Sequence, residues 1–167
     1  GLVHGMNGAD AFFNKMGATV CERTFCGEGS CTAWLTTVGP TAGLDVESYI
    51  HSKYIVLWAC NSVSTNLHHW PIVQDARKNG AKVVVIDSYK SRTAKEADWH
   101  ICPKPGTDGA LAMAIINSII EQGLVDKDYV DNYTVGYDEL AERAKTRTPE
   151  WAAEITGVAA EDICQLA

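Results

Sequence analysis

The 167-residue sequence has no Cys-x-x-Cys pair, no Gly-x-Gly-x-x-Gly loop, no basic stripe and no apolar run near the ~20 residues of a membrane span. Each absence removes a class. Without Cys-x-x-Cys, zinc ribbons and two-cysteine redox motifs have no support. The six cysteines stand at 21, 26, 31, 60, 102 and 164, and the four-residue gaps between Cys21, Cys26 and Cys31 also miss the usual iron–sulfur spacings. Disulfide staples are not needed in a chain this long and this rich in core residues, so the cysteines read as small buried apolar groups. Fourteen basic residues against 21 acidic ones, a net charge of −7, leave little to displace counterions from phosphates, which excludes nucleic acid as a partner. No direct membrane insertion is expected. No basic-then-apolar leader opens the chain, which starts without Met at Gly1-Leu2-Val3-His4-Gly5 and reads as a piece of something longer.

What is present is the pattern of an α/β domain. Residues 54–59 (Tyr-Ile-Val-Leu-Trp-Ala) and 82–86 (Lys-Val-Val-Val-Ile) are continuous apolar runs, as buried parallel strands are. Residues 71–79 fit a helix between them, stopped by Gly80, which completes a strand–helix–strand unit with a right-handed crossover. A third short strand is expected at 99–102, closed by Pro103 and Pro105. Thr107 or Asp108 then caps a helix running to about Gln122, with Leu111, Ile115, Ile116 and Ile119 on one face and Gly123 at its end. Short helices follow from Asp126, over 137–145, from Thr148-Pro149-Glu150 to a break at Thr156-Gly157, and from near Ala159. Residues 7–39 supply one strand near Thr19 and two helices. The fold expected is a doubly wound, mostly parallel sheet with helices on both faces, a Rossmann-like three-layer domain. Its core is placed at about 15–123, with a helical appendage at about 124–167.

Ligands of such sheets bind beyond the carboxyl ends of the strands, which selects three loops. Residues 60–69 bring Asn61, Ser64 and Thr65, small polar groups before a helix that suit an oxyanion; a plain polar turn explains them equally well. Residues 87–93 bring Asp87, which can accept from ribose hydroxyls or simply cap its turn. The same loop brings Arg92 and Thr93. Arg92 can reach a phosphate, or pair with Glu96 four residues on. Residues 104–108 bring Gly106, Thr107 and Asp108; a carboxylate there can take two hydrogen bonds from guanine, and helix capping is the bland alternative.

The run Ile55-Val56-Leu57-Trp58-Ala59-Cys60-Asn61 with Ser64-Thr65-Asn66 resembles the strand-then-loop motif of the molybdopterin oxidoreductases. This is the dimethyl-sulfoxide-reductase family, with its formate dehydrogenases and periplasmic nitrate reductases. Residues 79–87 with Thr93-Ala94 and Ala97-Asp98 resemble its second motif, and Pro105-Gly106-Thr107-Asp108-Gly109-Ala110-Leu111 its third. Asp126 to Tyr133 before Gly136-Tyr137, and Thr148-Pro149-Glu150 before Ile155-Thr156-Gly157-Val158, are also similar. The ordered set covers nearly the whole chain.

The resemblance implies a bis-molybdopterin guanine dinucleotide cofactor with molybdenum or tungsten, held by four dithiolene sulfurs and one protein ligand. In the family that ligand precedes a helix-ending Gly by thirteen residues; here the Gly is Gly39 and the position is Cys26. A thiolate suits so soft a metal site. Asn61, Ser64 and Thr65 would then face pyrophosphate or ribose, Asp87 the ribose, and Asp108 the guanine. The sequence departs from the family at Ala59, often Gly, at Ser62, often Pro, and at Ser88-Tyr89, often Pro-Arg; Lys90 or Arg92 can replace the missing cation. His68 and His69 read as loop or interface residues. The parent would perform two-electron or oxygen-atom redox, with an iron–sulfur cluster outside this segment. Its partners would be the remaining domains of the same enzyme and an electron-transfer subunit, and these residues alone would be inactive. Two rivals stand beside it: a non-redox hydratase of the same family, and a non-catalytic nucleotide-binding module.

Overall fold

The structure is a computed structural model and describes residues 9–19, 25–40 and 43–167. The chain divides into two compact units, residues 1–44 and residues 45–167. In the first, α1 (Asp10–Lys15) and α2 (Phe25–Val38) are the two helices expected before residue 40. α1 has Asp10 in its first turn and Lys15 in its last, the charge order that complements a helix dipole. α2 is followed by Gly39 at φ 74°, a left-handed position that glycine takes without a Cβ clash. Thr19 is not in a strand, and residues 20–24, where the rest of that expected strand would fall, lie outside the described residues.

The second unit opens with a 3-10 helix (Val46–His51) and continues with β1 (Tyr54–Trp58), α3 (Ser62–Thr65), α4 (His69–Lys78) and β2 (Lys82–Ile86). Then come α5 (Arg92–Glu96), β3 (Trp99–Ile101), α6 (Asp108–Glu121), α7 (Lys127–Tyr133), α8 (Tyr137–Ala144), α9 (Pro149–Thr156) and α10 (Ala160–Leu166). The three strands form one parallel sheet in the order β1-β2-β3, with Tyr54 opposite Lys82 and Val84 opposite Trp99.

Successive strand residues face opposite sides of a sheet, and β2 shows what that requires here. Val83 and Val85 join Ile55, Leu57, Val73 and Ala76 of α4, and Ala94 of α5, in one core. Val84 and Ile86 join Ile101, Leu111 and Ala114 of α6, Ala152 of α9, and Ile163 and Leu166 of α10 in the other. Each of these β2 side chains contributes about 2 kcal/mol by leaving water. Helices therefore cover both faces of β2, which is why its sequence is an unbroken apolar run rather than an alternation. This is the doubly wound three-layer arrangement expected. The helices after residue 124 supply part of the second core. β1 is buried on one side only: Ile55 and Leu57 are inside, Tyr54 and Val56 exposed.

Local signals place most of the ends. Asp126 accepts from the Tyr129 N–H and Thr148 from the Trp151 N–H, each an N-cap with its side chain on the third residue of the helix. Pro149 opens α9 and Gly157, at φ 75°, closes it. Three details differ from the pattern-based expectation. The helix before β2 begins at His69, after the single turn of α3, because Asn66 ends that turn and its side chain accepts from the His69 N–H. The buried stripe of α6 is Leu111, Ala114, Asn117 and Ser118, with Ile116 and Ile119 half-buried. α6 is packed by α8, α9 and α10, and buried Asn117 donates to the Ala144 carbonyl, a partner that periodicity cannot show. Finally, no Arg92–Glu96 ion pair forms among the described residues. Arg77 of α4 instead donates to the Glu96 carbonyl at 2.9 Å and pairs with Asp98. Burial alone would raise the Asp98 carboxyl, but the Val83 N–H at 2.7 Å and the Arg77 guanidinium hold it below its ordinary value.

Candidate functional site at the carboxyl edge of the sheet

At the carboxyl end of β1 the chain turns through Ala59, whose φ of 53° makes it the one non-glycine residue with positive φ among those described. Its N–H still reaches the Ile86 carbonyl at 2.8 Å, so the turn begins before the ladder ends. A left-handed turn is where glycine is easiest, which is the physical content of the family's frequent Gly at this position.

Asn61 follows and is the hub of the edge. Its Oδ1 accepts from the Thr93 hydroxyl at 2.8 Å, and its Nδ2 donates to the Tyr89 hydroxyl at 3.4 Å. The Thr93 oxygen in turn accepts from the Val63 N–H at 3.0 Å. Thr93 is fully buried, so this brace ties the loop after β1 to the helix after β2 in a place water does not reach. Ser64 and Thr65 lie on the exposed side of α3, with the Thr65 hydroxyl donating back to the Asn61 carbonyl at 2.9 Å. α3 is a single turn, so few peptide dipoles align behind this loop and the positive end expected there is weak.

Beneath the loop, buried Ser62 and His69 meet at 2.9 Å through Oγ and Nδ1, and Tyr49 packs edge-on against the imidazole. His69 Nε2 is buried without a partner among the described residues, and burial lowers the imidazole's pKa. His69 is thus an interior residue under the site, where a His-His pair in a polar stretch reads as surface; His68 is exposed.

Asp87 ends β2. Its N–H donates to the Ile101 carbonyl and its own carbonyl accepts from His100 Nε2, both at 3.0 Å, which fixes the backbone against β3. Its half-buried carboxylate has no partner among the described residues. Arg92 is exposed at the start of α5, one residue after Ser91, which caps that helix by accepting from Ala94 N–H.

The third loop differs from both. Gly106 has φ 80° with open space where a Cβ would stand. Thr107 donates its hydroxyl to the Lys104 carbonyl at 2.6 Å and makes no side-chain cap to α6. Asp108 accepts at Oδ1 from the Trp58 indole N–H at 2.7 Å. Trp58 is not among the site residues the sequence suggests, because it reads as one apolar residue within the strand over 54–59.

The structure therefore brings together Asn61 with Thr93, and Asp108 with the end of β1, and sets Asp87 on the same edge. Cys26 lies in the first turn of α2, in the other unit, and its side chain is outside the described residues. Among the described residues no three His, Cys, Asp or Glu side chains gather as a metal site, and no helix is long and apolar enough to cross a membrane. A cleft of about 510 Å³ bordered by Asn117, Lys145, Thr148 and Cys164 opens toward the far end of α6, roughly 15 Å along its axis from Asp108.

Three parallel strands whose polar loops gather at one edge, with helices on both faces, define an α/β domain of the Rossmann-like three-layer type. The model of the molybdopterin oxidoreductase family matches residues 5–160, and the chain belongs to that family. It is 46% identical to a "Probable oxidoreductase YoaE" of Bacillus subtilis over 93% of this chain and 23% of that protein. It is 34% identical to the dimethyl sulfoxide/trimethylamine N-oxide reductase of Rhodobacter capsulatus over 70% of this chain and 16% of that one. Among solved structures it is similar to acetylene hydratase from Pelobacter acetylenicus, with a TM-score of 0.65 and 31% identity over 72% of this chain and 18% of that chain. The chain thus spans about a quarter or less of the length of these relatives.

Proposed function

We propose that the carboxyl edge of the sheet binds one guanine dinucleotide of a bis-molybdopterin cofactor, within an enzyme that runs two-electron redox or oxygen-atom transfer at molybdenum or tungsten. The observation that carries this reading is Asp87, a half-buried carboxylate at a strand end with no partner among the described residues. A carboxylate at that place is open to donors, and ribose hydroxyls supply two. The donor set around it fits the rest of a dinucleotide. Ser64 offers an exposed hydroxyl to pyrophosphate, Thr65 would add its own by giving up the bond to the Asn61 carbonyl, and exposed Arg92 is the cation at the start of α5. Gly106 leaves room for a close approach of ligand to backbone, and Asp108 presents a carboxylate to guanine. Asn61 and Thr93 act as the brace that shapes this surface, Asn61 with its amide still directed to the Tyr89 hydroxyl at the rim.

When bound, the metal and its pterin supply the redox chemistry; this chain binds and orients them. Cys26, in the α2 unit, would give the metal its protein ligand. The other cofactor half, an iron–sulfur cluster and an electron-transfer partner belong to segments outside these residues. The similarity to acetylene hydratase, 31% identical over 72% of this chain, favours one second reading, that the same site serves a non-redox hydration.

The test is elemental mass spectrometry and nucleotide analysis on the full-length protein, purified without oxygen. About one metal atom and two guanine nucleotides per polypeptide are expected. Metal-free protein from a host that makes the cofactor would overturn the proposal. Turnover of an alkyne with no electron acceptor present would select the hydratase reading, and turnover that requires an acceptor the oxidoreductase one.

A further inference from the structure

We propose that Trp58 is a positioning residue for base specificity: its indole N–H fixes the plane of the Asp108 carboxylate so that both oxygens can meet a guanine edge. This rests on the reading of Asp108 as the guanine contact.

The first observation is that Asp108 is not used by its own helix. It is the first residue of α6, one past the N-cap Thr107, and its side chain makes no hydrogen bond within the helix among the described residues. Its Oδ1 instead takes the Trp58 Nε1–H at 2.7 Å across 50 residues of sequence, and its Oδ2 has no partner among the described residues. The second observation is how rigid the donor is. The Trp58 ring is half-buried against the core of Val84, Ile86, Ile101 and Leu111, and its indole nitrogen can only donate. A donor packed on one side against a core and bound to a charged acceptor is held in direction.

Direction matters because the terminal torsion of an aspartate is broad, and an unrestrained carboxylate rotates freely about it. Guanine presents two adjacent donors, the ring N–H and the amino group, which pair with both oxygens only when carboxylate and base share a plane. Hypoxanthine presents the ring N–H alone and is less sensitive to that plane. Adenine presents an acceptor at the ring nitrogen and gains nothing from it. A residue that sets the plane therefore acts on the preference of guanine over hypoxanthine, whereas a residue that merely supports the loop acts on every nucleotide alike.

The experiment is calorimetric titration of GDP, IDP and ADP into the full-length polypeptide prepared without cofactor, as wild type, Trp58→Phe, Asp108→Asn and the double variant. Trp58→Phe is expected to lower the GDP-to-IDP affinity ratio about fivefold, the worth of one immobilised side chain, with ADP unchanged. The double variant is expected to match Asp108→Asn, because Trp58 acts through Asp108. Should Trp58→Phe not fold, Trp58→Tyr keeps a ring on the same shelf, places its donor elsewhere and is read by the same ratio. Equal weakening of all three nucleotides overturns the proposal and leaves Trp58 a packing residue. A ratio that falls in Asp108→Asn but not in the Trp58 variants overturns it while the guanine reading stands. GDP binding unchanged in Asp108→Asn removes the guanine reading and the proposal with it.

Discussion

The loops after β1 and β2 and the loop after β3 share one edge of the sheet but are built on opposite plans. The first two are tied to each other from within: Asn61 to Thr93, Thr93 to the Val63 N–H, Ser62 to His69, all partly or wholly buried. The third has no such side-chain brace among the described residues, and a backbone bond from the Lys104 N–H to the Thr156 carbonyl at 2.8 Å ties it to α9. It turns on Gly106, returns the Thr107 hydroxyl to its own backbone and leaves Asp108 with one contact, to Trp58. A polar residue in the first pair of loops is more often shaping a surface than presenting itself on it. In the third the reverse holds.

Breaking the brace should give the largest effect. Thr93→Val keeps the volume and removes the hydroxyl, leaving the Val63 N–H without its acceptor and the Asn61 oxygen with only the residue-93 N–H at 3.4 Å; a loss of about 2 kcal/mol in unfolding free energy is expected. A denaturant titration that shows no change would place these loops on the same footing as the third. Gly106→Ala, at φ 80° with nothing nearby to clash, should cost about 1 kcal/mol from backbone strain alone. Ala59→Gly reverses that comparison, relieving a positive φ in the first loop; a gain of about 0.5 kcal/mol by thermal melting is expected, the strain relief being partly offset by a freer unfolded chain.

The smallest effect should come from pH. Burial lowers the folded-state pKa of His69, so the unfolded chain takes up the proton first as pH falls. The contribution is fully present above about 6.5, the unfolded value, and is lost as pH drops toward the folded one. It is small because a protonated Nδ1 can still donate to Ser62, so only the desolvation is felt. Denaturant midpoints from pH 7.5 to 5.5 should fall more steeply in wild type than in His69→Gln, and parallel lines would show the ring to be wet.

Much of this was visible in the residues themselves. β2 is legible because a strand covered on both faces is apolar throughout its buried stretch, here Val83 to Ile86, and α9 because Thr148, Pro149 and Gly157 each carry a local backbone instruction. The brace was not, because Asn61 and Thr93 stand 32 residues apart and each has an ordinary role as a loop polar group and a helix threonine. The same holds for Asn117, whose burial depends on a carbonyl 27 residues on, and for Trp58, a strand residue by composition and a donor only once α6 is docked. The family resemblance located the edge; it did not show which of the edge's polar atoms were already engaged.

The order of the sheet has a consequence for synthesis. Because β1, β2 and β3 lie side by side in the order in which they are translated, each strand as it leaves the ribosome finds its neighbour already laid down. The first face can close once α5 is made, since its core contains nothing later than Ala97. The second cannot, because Ile163 and Leu166 complete it, and until they emerge Val84 and Ile86 have only part of their cover, from α6 and then α9. That interval, some seventy residues of translation from the start of β3 to the end of α10, is when this face is incomplete.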